Sequence, residues 1–186
     1  MGRGSLCVAV PVYNGATTAD ISLPGEILAA TLEARVHLVG AELEWVAGVE
    51  PSRPIAVSDR YEDLPHPDVV LIPGGLGWRA QVDDERCMHW LRVACPSAAG
   101  VLCVSTGSLL LAATGLLDDQ QAAGHWLGHG TLAELGAQPV ADRVRCSADG
   151  RLHTASGALA AAAAARSLAD RLQWGRAPDP PGPRTA

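Results

Sequence analysis

Ser105 is the residue whose surroundings most favour chemistry. It stands between the apolar run Val101-Leu-Cys-Val104 and the equally apolar stretch Ser108-Leu-Leu-Leu-Ala-Ala-Thr114, which Gly115 ends. A strand that passes into a buried helix over one or two residues forces the turn residue into an unusual backbone conformation. It also presents that side chain at the C-terminal edge of the sheet. A hydroxyl there faces a ligand, and the N–H groups of the following helix point the same way, which makes an oxyanion-type site. Ser105 is equally suited to cap that helix, and the two roles are compatible. The GxSxG pattern of serine esterases is absent, because Cys103 holds the position of the first glycine.

Asp20 and Glu26 are the acids that follow the first apolar run. Asp20 reads as a proton donor or acceptor, or as a helix cap; Glu26 reads as a solvated surface charge. Gly74 and Gly75 let backbone approach a ligand and offer amide donors, although Pro-Gly-Gly after a strand is also an ordinary turn. His125 and His129 have the i, i+4 spacing that some metal sites use. Neither has an acidic or cysteine partner beside it, so no metal site is expected.

The elements that must position these residues alternate between strand and helix, the pattern of a mostly parallel sheet with helices on both faces. Strands are expected at Leu6–Pro11, Val36–Val39, Asp68–Pro73 and Val101–Val104, with short strands or a hairpin in Leu43–Val57 and two or three more between Gln138 and Thr154. Helices are expected over Asp20–Ala34, with Pro24 near its start, and over Asp84–Cys95 with Asp83 or Asp84 as cap. Further helices are expected over Ser108–Thr114, Gly128–Leu135 and Ala158–Leu172. Ligands of open α/β sheets lie outside the strand C-termini, so the segment Asn14–Glu26, the loop Gly74–Trp78 and the turn at Ser105 should converge, with Gly124-His-Trp126 as a fourth wall.

The chain has 186 residues, enough for one domain that buries about 70% of its unfolded surface. We expect one domain over 1–174 and a disordered Pro-rich tail over 175–186. Its five cysteines include no CxxC pair, so neither a disulfide framework nor a zinc knuckle is suggested, and a cytoplasmic location is the simpler reading. No signal peptide and no apolar run of membrane-spanning length is evident. The formal charge is −6 and there is no lysine. Without a basic patch, neither nucleic-acid nor membrane binding is expected.

Asp68-Val-Val-Leu-Ile-Pro-Gly-Gly75 and Val104-Ser-Thr-Gly-Ser-Leu-Leu-Leu-Ala-Ala-Thr-Gly-Leu-Leu-Asp118, with His125-Trp126 beyond, resemble the ThiJ/PfpI superfamily over roughly residues 6–173. Gly77-Trp-Arg-Ala80, Asp83-Asp84, Trp90-Leu-Arg92 and the run from Asp20 through Glu26-Ile-Leu28 are similar to the isocyanide-hydratase branch and to the ligand-binding halves of AraC-type regulators. The resemblance implies a flavodoxin-like three-layer α/β sandwich, a homodimer, a cysteine nucleophile at the elbow and an acidic residue from the first loop beside it. Those positions are Ser105 and Asp20 here. Cys103, inside the strand, cannot take over the elbow's direction.

The resemblance further implies hydration, lyase or isomerase chemistry on a small, largely apolar substrate, with no cofactor. Ser105 would attack or orient the electrophilic carbon, Asp20 would move protons, and the Gly75 and Thr106 amides would stabilise negative charge. Gly74, Trp78 and Trp126 complete the expected binding set, and His125 the catalytic one. The missing thiol leaves three readings: an engineered replacement of the elbow cysteine, a natural serine in an enzyme working through Asp20, and a catalytically silent ligand-binding domain. Ala123-Gly124, where the hydratases usually carry two threonines, and Gly157-Ala-Leu-Ala-Ala161 are further departures, each less polar than the branch.

Overall fold

The computed structural model describes residues 5–50 and 53–174; the expected tail, 175–186, lies outside the described residues. β1 (Cys7–Pro11), α1 (Thr18–Leu32) and β2 (Arg35–Gly40) open the chain. An antiparallel pair, β3 (Trp45–Val46) and β4 (Ile55–Ala56), precedes β5 (Asp59–Arg60) and β6 (Val69–Ile72). Next come α2 (Trp78–Val82), α3 (Glu85–Ser97), β7 (Gly100–Val104) and α4 (Gly107–Ala112). β8 (Gln121–Ala122), α5 (His129–Glu134), β9 (Gln138–Pro139), β10 (Val144–Cys146), β11 (Leu152–Ala155) and α6 (Ala158–Trp174) complete it.

Among the described residues, seven strands form one sheet in the order β10-β11-β7-β6-β1-β2-β5, parallel except for β10. From its centre the sheet grows in two directions, β1 to β2 one way and β6 to β7 to β11 the other. Right-handed crossovers therefore place α1 on one face and α3 on the other. Coverage on both sides explains why Val69–Ile72 and Gly100–Val104 are buried at every position and carry no polar alternation. The direction of growth reverses between β1 and β6, and the crevice at such a switch point is where open α/β sheets hold ligands.

Several elements differ from expectation for local reasons. α1 begins at Thr18, so Pro24 lies in its interior rather than near its start; lacking an N–H, it leaves the Asp20 carbonyl without its helical partner. The loop after β6 turns into the short helix α2 at Trp78. α3 runs through Pro96 to Ser97, and the Asp84 carboxylate caps it by accepting from the Arg86 and Cys87 amides. Two-residue strands such as β5 and β8 carry no periodicity that a sequence could show.

Candidate active site at the β7–α4 elbow

Ser105 has φ 57°, in the left-handed region that non-glycine residues avoid. The surrounding backbone holds it there: its N–H donates to the Ala155 carbonyl at 2.8 Å, and its own carbonyl accepts from the His125 N–H at 3.3 Å. α4 can start immediately afterwards because Gly107 lies against β6, where a Cβ would come within 2.3 Å of the Ile72 carbonyl oxygen.

Gly74 marks the point of convergence. A Cβ there would lie 2.9 Å from each of Asp20 Oδ2, Ser105 Cβ and the Thr106 amide nitrogen, so three candidate groups crowd around one α-carbon. The Gly74 N–H donates to Asp20 Oδ2 at 3.2 Å. The other end of the same peptide unit, the Pro73 carbonyl, accepts from the buried Tyr13 hydroxyl at 3.0 Å. One peptide thus links a tyrosine, which sequence reading did not single out, to the candidate acid.

Asp20 is only 4% exposed. Burial pushes its carboxyl up to about 6, with the Gly74 hydrogen bond and the nearby His125 imidazole pulling the other way. A carboxyl group at that value keeps about a tenth of its population protonated at neutral pH and exchanges protons readily in both directions.

Thr106 Oγ1 accepts from the Gly75 N–H at 2.9 Å and donates to the Gly75 carbonyl at 3.2 Å. The Gly75 amide, expected to face a ligand, is therefore already engaged, and Thr106 acts as the clasp between the two loops. Ser108 Oγ donates to the Ala123 carbonyl and Thr154 Oγ1 accepts from the Ala123 N–H, both at 2.8 Å; these bonds hold the segment that carries His125. His125 Nδ1 accepts from the Leu127 N–H at 3.3 Å, which leaves Nε2 to carry the proton of the neutral ring.

Above these groups opens a cavity of about 540 Å³, lined on its polar side by Thr17, Ser105, Thr106, His125, Thr131 and Arg79. Val49, Leu76, Trp78, Leu109 and Leu127 supply the apolar side, with Gly75 and Gly128. Trp126 stands outside this lining, 72% exposed and stacked on His125 with ring centroids 6.0 Å apart; Leu127 takes the wall position. Neither Gly74 nor Asp20 is among the lining residues; both adjoin the cavity through their neighbours Ser105 and Thr106. Of the residues not anticipated, Arg79 sat in the Gly77-Trp-Arg-Ala80 run, whereas Val49 comes from the hairpin region and left no signal in the sequence. A larger groove, about 790 Å³, runs along α3 past Tyr61 and His89 and shares no residue with this cavity.

The cysteines offer no substitute nucleophile near the elbow. Burial drives the Cys103 thiol well above its ordinary range and Cys87 up to about 11. Among the described residues no group of three or more metal-ligating side chains occurs, and no helix is long and apolar enough to cross a membrane.

A mostly parallel sheet with a strained polar elbow at the end of β7 and a buried acid beside it defines a class of α/β proteins. The model of the DJ-1/PfpI family matches residues 7–171, and the chain belongs to that family. It is 37% identical over 153 residues to the isonitrile hydratase of Pseudomonas putida, an alignment covering 82% of this chain and 66% of that protein. The chain thus spans just under two thirds of that relative's length. A ThiJ/PfpI family protein from Pseudomonas syringae superposes with a TM-score of 0.80 at 25% identity, over 98% of this chain and 80% of the other. Drosophila melanogaster DJ-1beta shares the fold, with a TM-score of 0.80 at 21% identity and 91% of each chain covered.

Proposed function

We propose that this chain is a hydratase of isonitriles, R–N≡C, converting them to N-substituted formamides by proton transfer through Asp20. The observation that carries this reading is the buried Asp20 carboxyl, raised to about 6 and held against the Ser105 elbow under a largely apolar cavity. The likeness to an isonitrile hydratase supports the choice of substrate class.

The terminal carbon of an isonitrile has a lone pair and takes the proton of the Asp20 carboxylic acid, giving a nitrilium cation paired with the new carboxylate. Water held by Ser105 Oγ adds to that carbon, and the Asp20 carboxylate receives the proton it releases. The imidic acid R–N=CH–OH then tautomerises to R–NH–CHO, so the sum is isonitrile plus water. One C–H and one C–O bond form at the isonitrile carbon as water is taken up, the sum is redox-neutral, and the scheme calls for no redox cofactor. A serine suffices as an orienting group, because the nucleophile is generated by the acid–base partner rather than by a pre-formed thiolate. The chain would act as a single unit over 1–174, in the cytoplasm, where five unpaired cysteines remain reduced.

The test is a paired assay of the chain and Ser105→Cys on a panel of isonitriles and reactive carbonyl compounds, following substrate loss and protein mass. We expect formamide production by the Ser105 form without a covalent adduct. Asp20→Asn should lower the rate by about 100-fold or more. Full activity in Asp20→Asn would sink the acid–base assignment.

A second reading, a ligand-binding domain without turnover, is favoured by one feature. The His125 Nδ1 accepts from Leu127 rather than from Ser105, so the hydroxyl has no base engaged on it through that nitrogen. Silence of both Ser105 forms, with tight binding of a panel member, would select it.

A further inference from the structure

Arg79 brings a formal charge to a cavity otherwise lined by uncharged groups and by His125. It sits in the first turn of α2 and lines the cavity together with Leu76, Trp78 and Leu127. Its guanidinium carbon lies 4.6 Å from the centre of the Trp78 ring, so the head of this exposed side chain rests over an aromatic face. Among the described residues no carboxylate comes within salt-bridge distance of it, a condition it shares with Arg35, Arg92, Arg143, Arg151, Arg166 and Arg171; what sets Arg79 apart is its place in the lining of this cavity. A chain with a formal charge of −6 thus presents, over an apolar cavity, a cation that its own acids leave uncompensated.

We propose that Arg79 is the specificity determinant of this cavity and that its substrate is a small apolar molecule carrying a carboxylate at the end remote from the reacting carbon. The inference rests on the reading of this cavity as the substrate pocket. Three arguments fix the chemistry. A guanidinium offers parallel N–H donors that match a carboxylate's two oxygens, and stacking on Trp78 restricts its rotamers before the ligand arrives. A volume of about 540 Å³ with Val49, Leu76, Leu109 and Leu127 on its walls suits a compact apolar body. Asp20, beside the Ser105 elbow, repels a second anion there, so the carboxylate pairs with Arg79 and the uncharged reactive group faces Ser105.

The experiment measures equilibrium binding and needs no turnover. 4-Phenylbutanoate and the isosteric 4-phenylbutanamide are titrated calorimetrically at pH 7.5 into the chain, Arg79→Gln and Arg79→Lys. We expect the acid to bind the unmodified chain about 10-fold more tightly than the amide, a preference that added salt reduces. The ratio should fall to about 1 in Arg79→Gln and be partly kept in Arg79→Lys, which holds the charge but not the fork. Equal binding of acid and amide, a ratio unchanged in Arg79→Gln, or no measurable binding of the acid at millimolar concentration overturns the proposal. Because the readout is binding, a chain that selects the acid through Arg79 yet hydrates no isonitrile keeps this inference and loses the proposed reaction. A chain that hydrates isonitriles with no preference for the acid probe does the reverse.

Discussion

The chemistry at Asp20 has a cost that can be read as stability. Its carboxyl is raised to about 6 by burial, above the value of about 4 in an unfolded chain. An acid of that kind binds its proton more tightly when folded, so its penalty is absent below pH 4, grows between pH 4 and 6, and is constant above. Asp20→Asn removes the buried charge while keeping an oxygen for the Gly74 N–H. It should raise stability at pH 7 by about 2–3 kcal/mol and flatten the slope between pH 4 and 6 in denaturant titrations, while lowering the rate by about 100-fold or more. Tyr13 acts on the same carboxyl from behind, through the Pro73–Gly74 peptide. Tyr13→Phe leaves the Pro73 carbonyl without its donor and should cost about 1–2 kcal/mol of stability. The Gly74 hydrogen bond holds the Asp20 value down, so loosening that peptide lets it rise. If the acid form starts the reaction, the fall of kcat/KM with rising pH should move to higher pH in Tyr13→Phe; an unmoved profile would make Tyr13 a packing residue only.

At the scale of elements, the site depends on where helices and strands stop. β7 must end at Val104 and α4 must start at Gly107 for Ser105 to be trapped between them, and Gly107 permits this by lying against the Ile72 carbonyl. α3 contributes nothing to the cavity, yet its start is secured by Asp84, which also accepts from Gln81 Nε2 at 3.0 Å and so joins it to α2. Asp84→Ala should lower stability by about 1 kcal/mol. Since α2 carries Trp78 and Arg79, the loss should also weaken binding in the cavity while leaving the pH profile of catalysis in place; calorimetry and rate profiles separate the two.

For the molecule as a whole, the mouth of the cavity exposes large apolar side chains: Leu76 is 84% exposed, Leu127 69% and the neighbouring Trp126 72%. A cluster of that kind beside a ligand site is what a partner surface covers, and we propose a homodimer that closes over the cavity. Sedimentation velocity should show a dimer at micromolar concentration. Trp126→Glu should shift it toward monomer, and a monomer at all concentrations for the unmodified chain would refute this arrangement.

Much of this was open to reading along the chain, because it rests on local physics. Val69–Ile72 and Val101–Val104 are apolar at every position because both faces of their strands are covered, and Ser105 sits where such a run meets a helix with no room for a loop. The motif around Gly74 and the elbow likewise led to the family. What only the tertiary structure decided are relations between distant segments: that one peptide unit carries Tyr13 at one end and Asp20 at the other, that Thr106 takes the Gly75 amide, that Trp126 stands outside the cavity and Arg79 within it. Side-chain periodicity reports which face of an element is buried, not which neighbour buries it. The order of strands across the sheet brings residues 13, 20, 74 and 105 together, and the burial that follows shifts the acid.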